Sequence, residues 1–268
     1  MPSYLITGGA GFIGSNLAEA LIRRGETVRV LDNFATGRRE NLAGLEIEVV
    51  EADLCDLAAI HPAFVGVDYV LHQAALRSVP RSVEDPAATT AVNVSGTLNV
   101  LLAARKAGVR RVVFASSSSV YGAAPGLPRR ESDRPLPLSP YAASKLAGEA
   151  YCAAFSHVYG LETVSLRYFN VFGPRMDPTS QYATVIPVFI AALRAGRRPV
   201  IFGDGEQSRD FCYVSNVVQA NLLAAHAPGV AGEVFNIACG ERYTLNQLVA
   251  LLNEILRTDL EPEYGAER

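Results

Sequence analysis

The chain has 268 residues, 49% apolar and 19% charged, and its 24 basic and 27 acidic side chains leave a net charge of −3. That apolar share exceeds what disordered chains carry, and without a basic excess nucleic acid is not expected as the main ligand. The length suits one large α/β domain, or one domain carrying a smaller partner.

The N-terminus, Met1-Pro-Ser-Tyr-Leu-Ile-Thr-Gly-Gly9, lacks the cationic start and apolar run of a secretory signal. Short β-branched runs predict strands at 4–7, 27–31, 46–50, 69–73, 111–115 and 162–167. Helical patterns between them predict helices at 13–24, 57–64, 86–107 and 141–159. Strand and helix alternating in this way imply an α/β fold, a Rossmann-like doubly wound parallel sheet with helices on both faces. The alternation weakens after Arg167, with a Gly/Pro-rich stretch at Phe172-Gly-Pro-Arg175, a helix near 185–195 and a turn at Gly203-Asp-Gly205. A strand–helix pair near 211–225 and a helix at 245–256 follow. We therefore expect a dinucleotide-binding domain over 1–168 and a smaller substrate-binding region over 169–268, the chain returning to the main sheet near 210–237. Apolar stretches break within about ten residues, so no membrane span is expected. Cys55, Cys152, Cys212 and Cys239 are scattered and read as free thiols of a cytoplasmic protein. His61, His72, His157 and His226 form no metal-like cluster, and no metal is expected.

The first predicted strand runs into Gly8, Gly11 and Gly14, spaced G-x-x-G-x-x-G, followed by an amphipathic helix carrying Phe12, Ile13, Leu17 and Leu21. Glycines let the backbone approach a pyrophosphate, which the helix N-terminus then attracts. Asp32, at the end of the second strand, stands near the ~20-residue spacing at which a carboxylate takes the adenosine ribose hydroxyls. A carboxylate there repels a 2′-phosphate, so NAD is favoured, with Arg38 and Arg39 keeping NADP as a minor option. Asp53, after the third strand, is a weaker candidate for the adenine amino group.

Tyr141 and Lys145 share one face of a helix whose expected N-cap is Ser139, with Pro140 in the first turn. A free phenol titrates near pH ~10, and a nearby cation is expected to lower that value and make it a base. Only two of the 24 basic residues, Lys106 and Lys145, are lysines. An amine four residues after a tyrosine thus stands out in a chain that otherwise writes arginine. Upstream, Ser116 to Ser119 end the fifth strand, where a hydroxyl can donate to a substrate oxygen whose charge changes. The residues alone leave open which serine does so.

Together these motifs resemble the short-chain dehydrogenase/reductase superfamily, in its extended branch. His72-Gln-Ala-Ala75, Ser78-Val-Pro-Arg-Ser82, Leu138-Ser-Pro-Tyr-Ala-Ala-Ser-Lys145, Leu166-Arg-Tyr-Phe-Asn-Val-Phe-Gly-Pro-Arg175 and Ser208-Arg-Asp-Phe211 look like the nucleotide-sugar epimerases, nearest to UDP-N-acetylglucosamine and UDP-glucose 4-epimerases. The resemblance implies Ser117, Tyr141 and Lys145 as catalytic residues. It implies NAD held by Gly8, Gly11, Phe12, Ile13, Gly14, Asp32, Asn33, Asp53, Leu54, Tyr141 and Lys145. It implies a UDP-sugar touched by Ser78, Ser82, Ser117, Tyr141, Asn170, Val185, Phe202, Arg209 and Arg268, with 78–82 as a loop facing the sugar or the nicotinamide. The plain alternative for Arg209 is a salt bridge with Asp210.

The implied reaction is 4-epimerisation of a UDP-hexose, plain or N-acetylated, through transient C4 oxidation to a 4-keto sugar and hydride return to the opposite face. The related 4,6-dehydratases carry Asp-Glu directly after the active-site hydroxyl residue, where this chain has Ser118 and Ser119. UDP-glucuronate enzymes would want a further cation, and Met176-Asp-Pro-Thr-Ser180 supplies none. Two alternatives stay open: a net oxidoreductase of the same branch, and a non-catalytic NAD-binding sensor. A homodimer through a four-helix bundle of 86–107 and 141–159 is implied. So is a C-terminus cut short at Arg268, since relatives continue through an Arg-x-Gly-Asp segment.

Overall fold

The computed structural model describes residues 1–177 and 184–266. The chain forms two compact units, Met1–Phe169 with Val214–Ile237, and Asn170–Tyr213 with Ala238–Arg268.

The first unit is built on seven strands: β1 Ser3–Thr7, β2 Thr27–Asp32, β3 Glu48–Glu51, β4 Tyr69–His72, β5 Arg111–Ser117, β6 Glu162–Tyr168 and β7 Val234–Ile237. They pair in the order β7-β6-β5-β4-β1-β2-β3, and every pair is parallel. This is the expected doubly wound sheet. Its order reverses between β1 and β4, so the crevice above those two strand ends is where such sheets take ligands. Apolar runs such as Val112-Val-Phe114 are buried because helices cover both faces of a parallel sheet. Phe64, Val100, Leu101, Phe114 and Phe155 meet in one cluster, and burying such side chains is worth about 1.5–3 kcal/mol each.

The main helices of this unit are α1 Phe12–Arg23, α2 Pro86–Ala107, α3 Pro140–Tyr159 and α4 Val214–His226. Helix α2 contains one wide turn, a π segment at Ala91–Ser95. By length and composition α2 could cross a membrane, contrary to the expectation from the sequence. Its Val100, Leu101, Ala103 and Ala104 are instead core residues of this unit. Helix α4 ends over the sheet's N-terminal edge. There the guanidinium of Arg111 donates to the Ala224 carbonyl (2.7 Å) and the Ala227 carbonyl (2.8 Å), and pairs with Glu162, its neighbour across the strands. A cation at a helix C-terminus answers the dipole there.

Three local expectations change. Residues 57–64 divide into a helical turn, Leu57–Ile60, and a 3-10 turn, His61–Phe64, because Pro62 has no N–H to extend an α-helix. Residues 78–82 are not a loop: Ser78 caps a short helix, Val79–Glu84, with Pro80 in its first turn. Strand β7 lies within the stretch 210–237 over which the chain was expected to return to the sheet, though no strand was predicted at 234–237.

Among its described residues the second unit has two helices, Val185–Arg194 and Leu245–Leu256, and three two-stranded ribbons. Val171–Phe172 pairs parallel with Cys212–Tyr213, Val200–Phe202 parallel with Glu263–Gly265, and Ser208–Arg209 antiparallel with Tyr243–Thr244. Phe189, Leu193, Ile201, Leu248 and Leu252 form its core. Thr244 and Gln247 close a capping box that fixes the start of the second helix.

Candidate active site

Strand β1 turns into α1 through the three spaced glycines. Gly8 sits at φ +69°, and a Cβ on it would lie 2.7 Å from the Ala74 backbone, which follows β4 across the switch point. A Cβ on Gly14 would fall 2.2 Å from the Gly8 carbonyl oxygen, and one on Gly11 3.2 Å from the same atom. Only glycine permits so tight a turn. The helix N-cap is Gly11, which has no side chain to occupy the first-turn N–H groups, so those at Phe12 and Ile13 suit an anion.

Asp32 is buried at the end of β2, its carboxylate accepting from the N–H of Ala10 (2.9 Å) and of Phe34 (2.8 Å). Burial raises its pKa, against the pull of those two bonds. Each oxygen keeps a second acceptor position, which fits ribose hydroxyls. Asn33 donates to Asp53 at 2.8 Å, joining the ends of β2 and β3. Asp53 also accepts from the Cys55 N–H (2.8 Å), which with the Asn33 bond holds its carboxyl below the usual range. Leu54 is buried, and its carbonyl accepts from Asn99 at 2.7 Å. Arg39 is paired with Glu51 and lies 3.9 Å over the Phe34 ring, so it is committed away from a 2′-phosphate. Glycine turn, uncovered helix start and ribose acceptor fit a dinucleotide.

The second cluster gathers where β5 meets the start of α3. Ser139 caps α3, accepting from the Ala142 N–H at 3.1 Å. Ser117 caps the 3-10 turn Ser118–Tyr121 and accepts from the Ser119 N–H (3.2 Å) and hydroxyl (2.9 Å). Its hydroxyl also lies near enough to the Tyr141 phenol to lower that group's pKa. Lys145, only 3% exposed, donates to the Ala115 carbonyl at 2.8 Å and stands 5.0 Å from the Phe114 ring centroid. The two anchor points on β5 are about 6.6 Å apart, near the ~6 Å rise of the helical turn between Tyr141 and Lys145. Tyrosine, serine and amine are therefore brought together at one strand end.

The electrostatics differ from the expected ones. Burial pushes the Tyr141 phenol above its ordinary value, opposed by the nearby Ser117 hydroxyl and by the charge of Arg77. Burial also brings the Lys145 amine down to about 8, opposed by Cys152 and Glu149 on the same helix. Burial thus works against the ionised phenol expected beside Lys145. The charge of Arg77 acts on the phenol in the opposite sense, and the Lys145 amine donates to a main-chain carbonyl. Arg77 went unnoticed in the sequence, although a lone guanidinium between Ala75 and Ser78 was a signal that could have marked it. His72, at the end of β4, is fixed between Thr7 (2.6 Å) and Thr97 (2.9 Å). Burial, with the Lys145 charge, takes its pKa down to about 3, so the ring is neutral.

The other candidates are placed as follows. Ser78 accepts from the Arg81 N–H at 3.1 Å. Ser82 is fully buried and donates to the Val79 carbonyl at 2.7 Å, closed inside its own helix. In the second unit, Asn170 has φ 29° and donates to the Asp210 carbonyl at 2.8 Å. The Asp210 carboxylate accepts from the N–H of Cys239 (2.9 Å) and Gly240 (2.7 Å), not from Arg209. Arg209 is exposed and donates to the Ser208 carbonyl at 2.9 Å. Val185 opens a helix of this unit, and Phe202 ends a strand, its carbonyl accepting from Gln207 at 2.7 Å. Arg268 lies outside the described residues. Among the described residues no three His, Cys, Asp or Glu side chains gather as a metal would require.

Comparison with known proteins gives a consistent picture. Residues 4–238 match the model of the NAD dependent epimerase/dehydratase family. A putative UDP-glucose 4-epimerase of Methanocaldococcus jannaschii is 42% identical over 266 residues, covering 98% of this chain and 86% of that protein. The structure of a UDP-N-acetylglucosamine 4-epimerase from Methanobrevibacter ruminantium, in complex with UDP-N-acetylmuramic acid, superposes with a TM-score of 0.95 at 43% identity over 100% of this chain and 86% of that one. A UDP-glucose 4-epimerase of Thermus thermophilus in complex with NAD gives 0.89 at 39% identity, over 98% and 85%.

Proposed function

The chain belongs to the NAD dependent epimerase/dehydratase family, and on that premise we propose that it interconverts the C4 epimers of a UDP-hexose, UDP-Glc/Gal or UDP-GlcNAc/GalNAc. The observation that carries this reading is the gathering of Ser117, which caps the turn after β5, and the Tyr141 phenol it influences beside a buried Lys145 bonded to the Ala115 carbonyl of the same strand. The glycine turn Gly8–Gly14, Asp32 and the Asn33–Asp53 pair hold NAD. When bound, NAD supplies the reversible two-electron oxidation at the sugar carbon and a fixed positive charge.

Tyr141 moves the proton of the C4 hydroxyl. Ser117 donates to the oxygen whose charge rises as that proton leaves. Arg77 favours the phenolate, and the low-dielectric setting that raises the resting phenol also strengthens that attraction. Asn170 and Arg209 take the diphosphate, with Val185 and Phe202 beside the nucleotide. Ser118 and Ser119 form the turn that Ser117 caps. Their hydroxyls supply no acid–base pair for removing water, which favours epimerisation over dehydration. We also place the protein in the cytoplasm as a homodimer, with the exposed Tyr151, Val158 and Tyr159 of α3 as an apolar face for the partner.

The test is incubation with UDP-Glc, UDP-Gal, UDP-GlcNAc and UDP-GalNAc in turn, with separation of the 4-epimers. Formation of a 4-epimer without consumption of added cofactor is expected from the parent, and none from Tyr141→Phe. A reaction needing stoichiometric cofactor would make the protein a net oxidoreductase.

A further inference from the structure

Behind the active-site strand lies a buried ion pair that the reaction does not use directly. Glu149 follows Lys145 by one turn of α3, and Arg167 is on β6; both side chains are 5% exposed. The guanidinium meets the carboxylate through two bonds, Nε to Oε1 at 2.9 Å and Nη2 to Oε2 at 2.8 Å. Ser116, the cross-strand neighbour of Arg167, donates its hydroxyl to the same carboxylate. The third guanidinium nitrogen, Nη1, donates to the Tyr121 hydroxyl at 2.8 Å. That hydroxyl in turn donates to Asn236 of β7 at 2.6 Å.

The pair's surroundings give it meaning. Ser116 is the residue immediately before Ser117, and Tyr121 ends the turn that Ser117 caps. Both flanks of the candidate catalytic hydroxyl are thus tied to one rigid fork. A buried ion pair is a poor source of stability, since desolvation offsets its attraction. What the planar fork of arginine does supply is fixed geometry.

We propose that Glu149 and Arg167 are positioning residues whose pair grips Ser116 on one side of Ser117 and Tyr121 on the other, and so fixes the Ser117 hydroxyl against Tyr141. This rests on the epimerase reading above. A misplacement of about 1 Å at a reacting group can cost ~100-fold in rate, so loosening either flank should be felt in kcat more than in KM.

Ser116→Ala and Tyr121→Phe each delete one hydroxyl of the network and leave the ion pair in place. Each is expected to lower kcat about 5–20-fold with KM close to the parent, within the range of coupling seen between interacting sites. Ser117→Ala alone should lower kcat about 100-fold, the scale of losing one oxyanion donor. Added to Ser117→Ala, neither substitution should cost anything further. Equal losses with and without Ser117 would mean general packing and would overturn the proposal, as would parent-like kcat in both single variants. Glu149→Gln, checked for folding by circular dichroism, should repeat the kcat loss; if it does not fold, the two hydroxyl deletions decide. If Ser117→Ala and Tyr141→Phe leave turnover intact, the epimerase reading itself has failed. If those two abolish turnover and the hydroxyl deletions are silent, only the positioning role has failed.

Discussion

The two units hold their candidate groups in opposite ways. In the first, Asp32, Ser117, Tyr141 and Lys145 are wholly or partly withdrawn from water, and Asp32, Ser117 and Lys145 are already hydrogen-bonded to their own fold. In the second, Arg209 is exposed, tied through its side chain to the neighbouring Ser208 carbonyl. The proposed catalytic groups Ser117, Tyr141 and Lys145 are held within the fold, and burial displaces the pKa values of the phenol and the amine. The groups meant for recognition keep their charge in solvent, where binding rather than reactivity is tuned. Substitutions of Ser117, Tyr141 or Lys145 should therefore change turnover, and substitution of Arg209 apparent affinity.

The largest effect is expected from Tyr141→Phe, a loss of about 10³-fold or more in kcat, the scale of general acid–base catalysis, with an unchanged fold by circular dichroism. A variant that still turns over would erase the contrast between the units. Next comes Gly14→Ala. Its Cβ would sit 2.2 Å from the Gly8 carbonyl, so NAD binding followed by fluorescence should be lost and the melting temperature should fall. The pH profile follows. If Lys145 must be protonated, activity of the free enzyme should be full below about 8 and fall above it as the amine loses its proton.

The same group has the reverse effect on stability. Its folded pKa, about 8, lies below the unfolded value of 10.5, so the unfolded chain binds more protons between the two, and stability rises with pH across that window. Lys145→Met should then melt no lower than the parent at pH 7 while losing activity. The smallest effect is Arg209→Gln: KM for the UDP-sugar up about 10-fold, kcat within twofold and an unchanged melting temperature, as for losing one charged hydrogen bond at an exposed site. A fall in kcat instead would move Arg209 into the chemistry.

Much of this arrangement was legible in the sequence, for definable reasons. The glycine turn could be read because a missing Cβ is itself a geometric statement, and the helix at Leu245–Leu256 because its apolar period is strong. Tyr141 and Lys145 could be placed on one face by counting. Where the ammonium directs its hydrogen bond could not, because the Ala115 carbonyl belongs to a strand thirty residues away. Strand β7 escaped notice because it is four half-buried residues with Asn236 among them, and that asparagine faces a partner far back in the chain. Glu149 continued the spacing of Tyr141 and Lys145, yet nothing in its identity announced Arg167. Tertiary pairing, not local pattern, decided each of these.

Strand β7 and helix α4 bear on how the molecule is made. Asn236 steadies Tyr121, and Asn221 of α4 bonds the Tyr168 hydroxyl and Gln73, so the sheet's N-terminal part waits for residues synthesised much later. A nascent chain halted on the ribosome after Phe169 would carry six strands and the whole glycine turn, yet leave the flank of β6 unpaired. That edge can close only once Val234–Ile237 have been made and have left the ribosome, so the order of the chain itself puts the sheet's last pairing late.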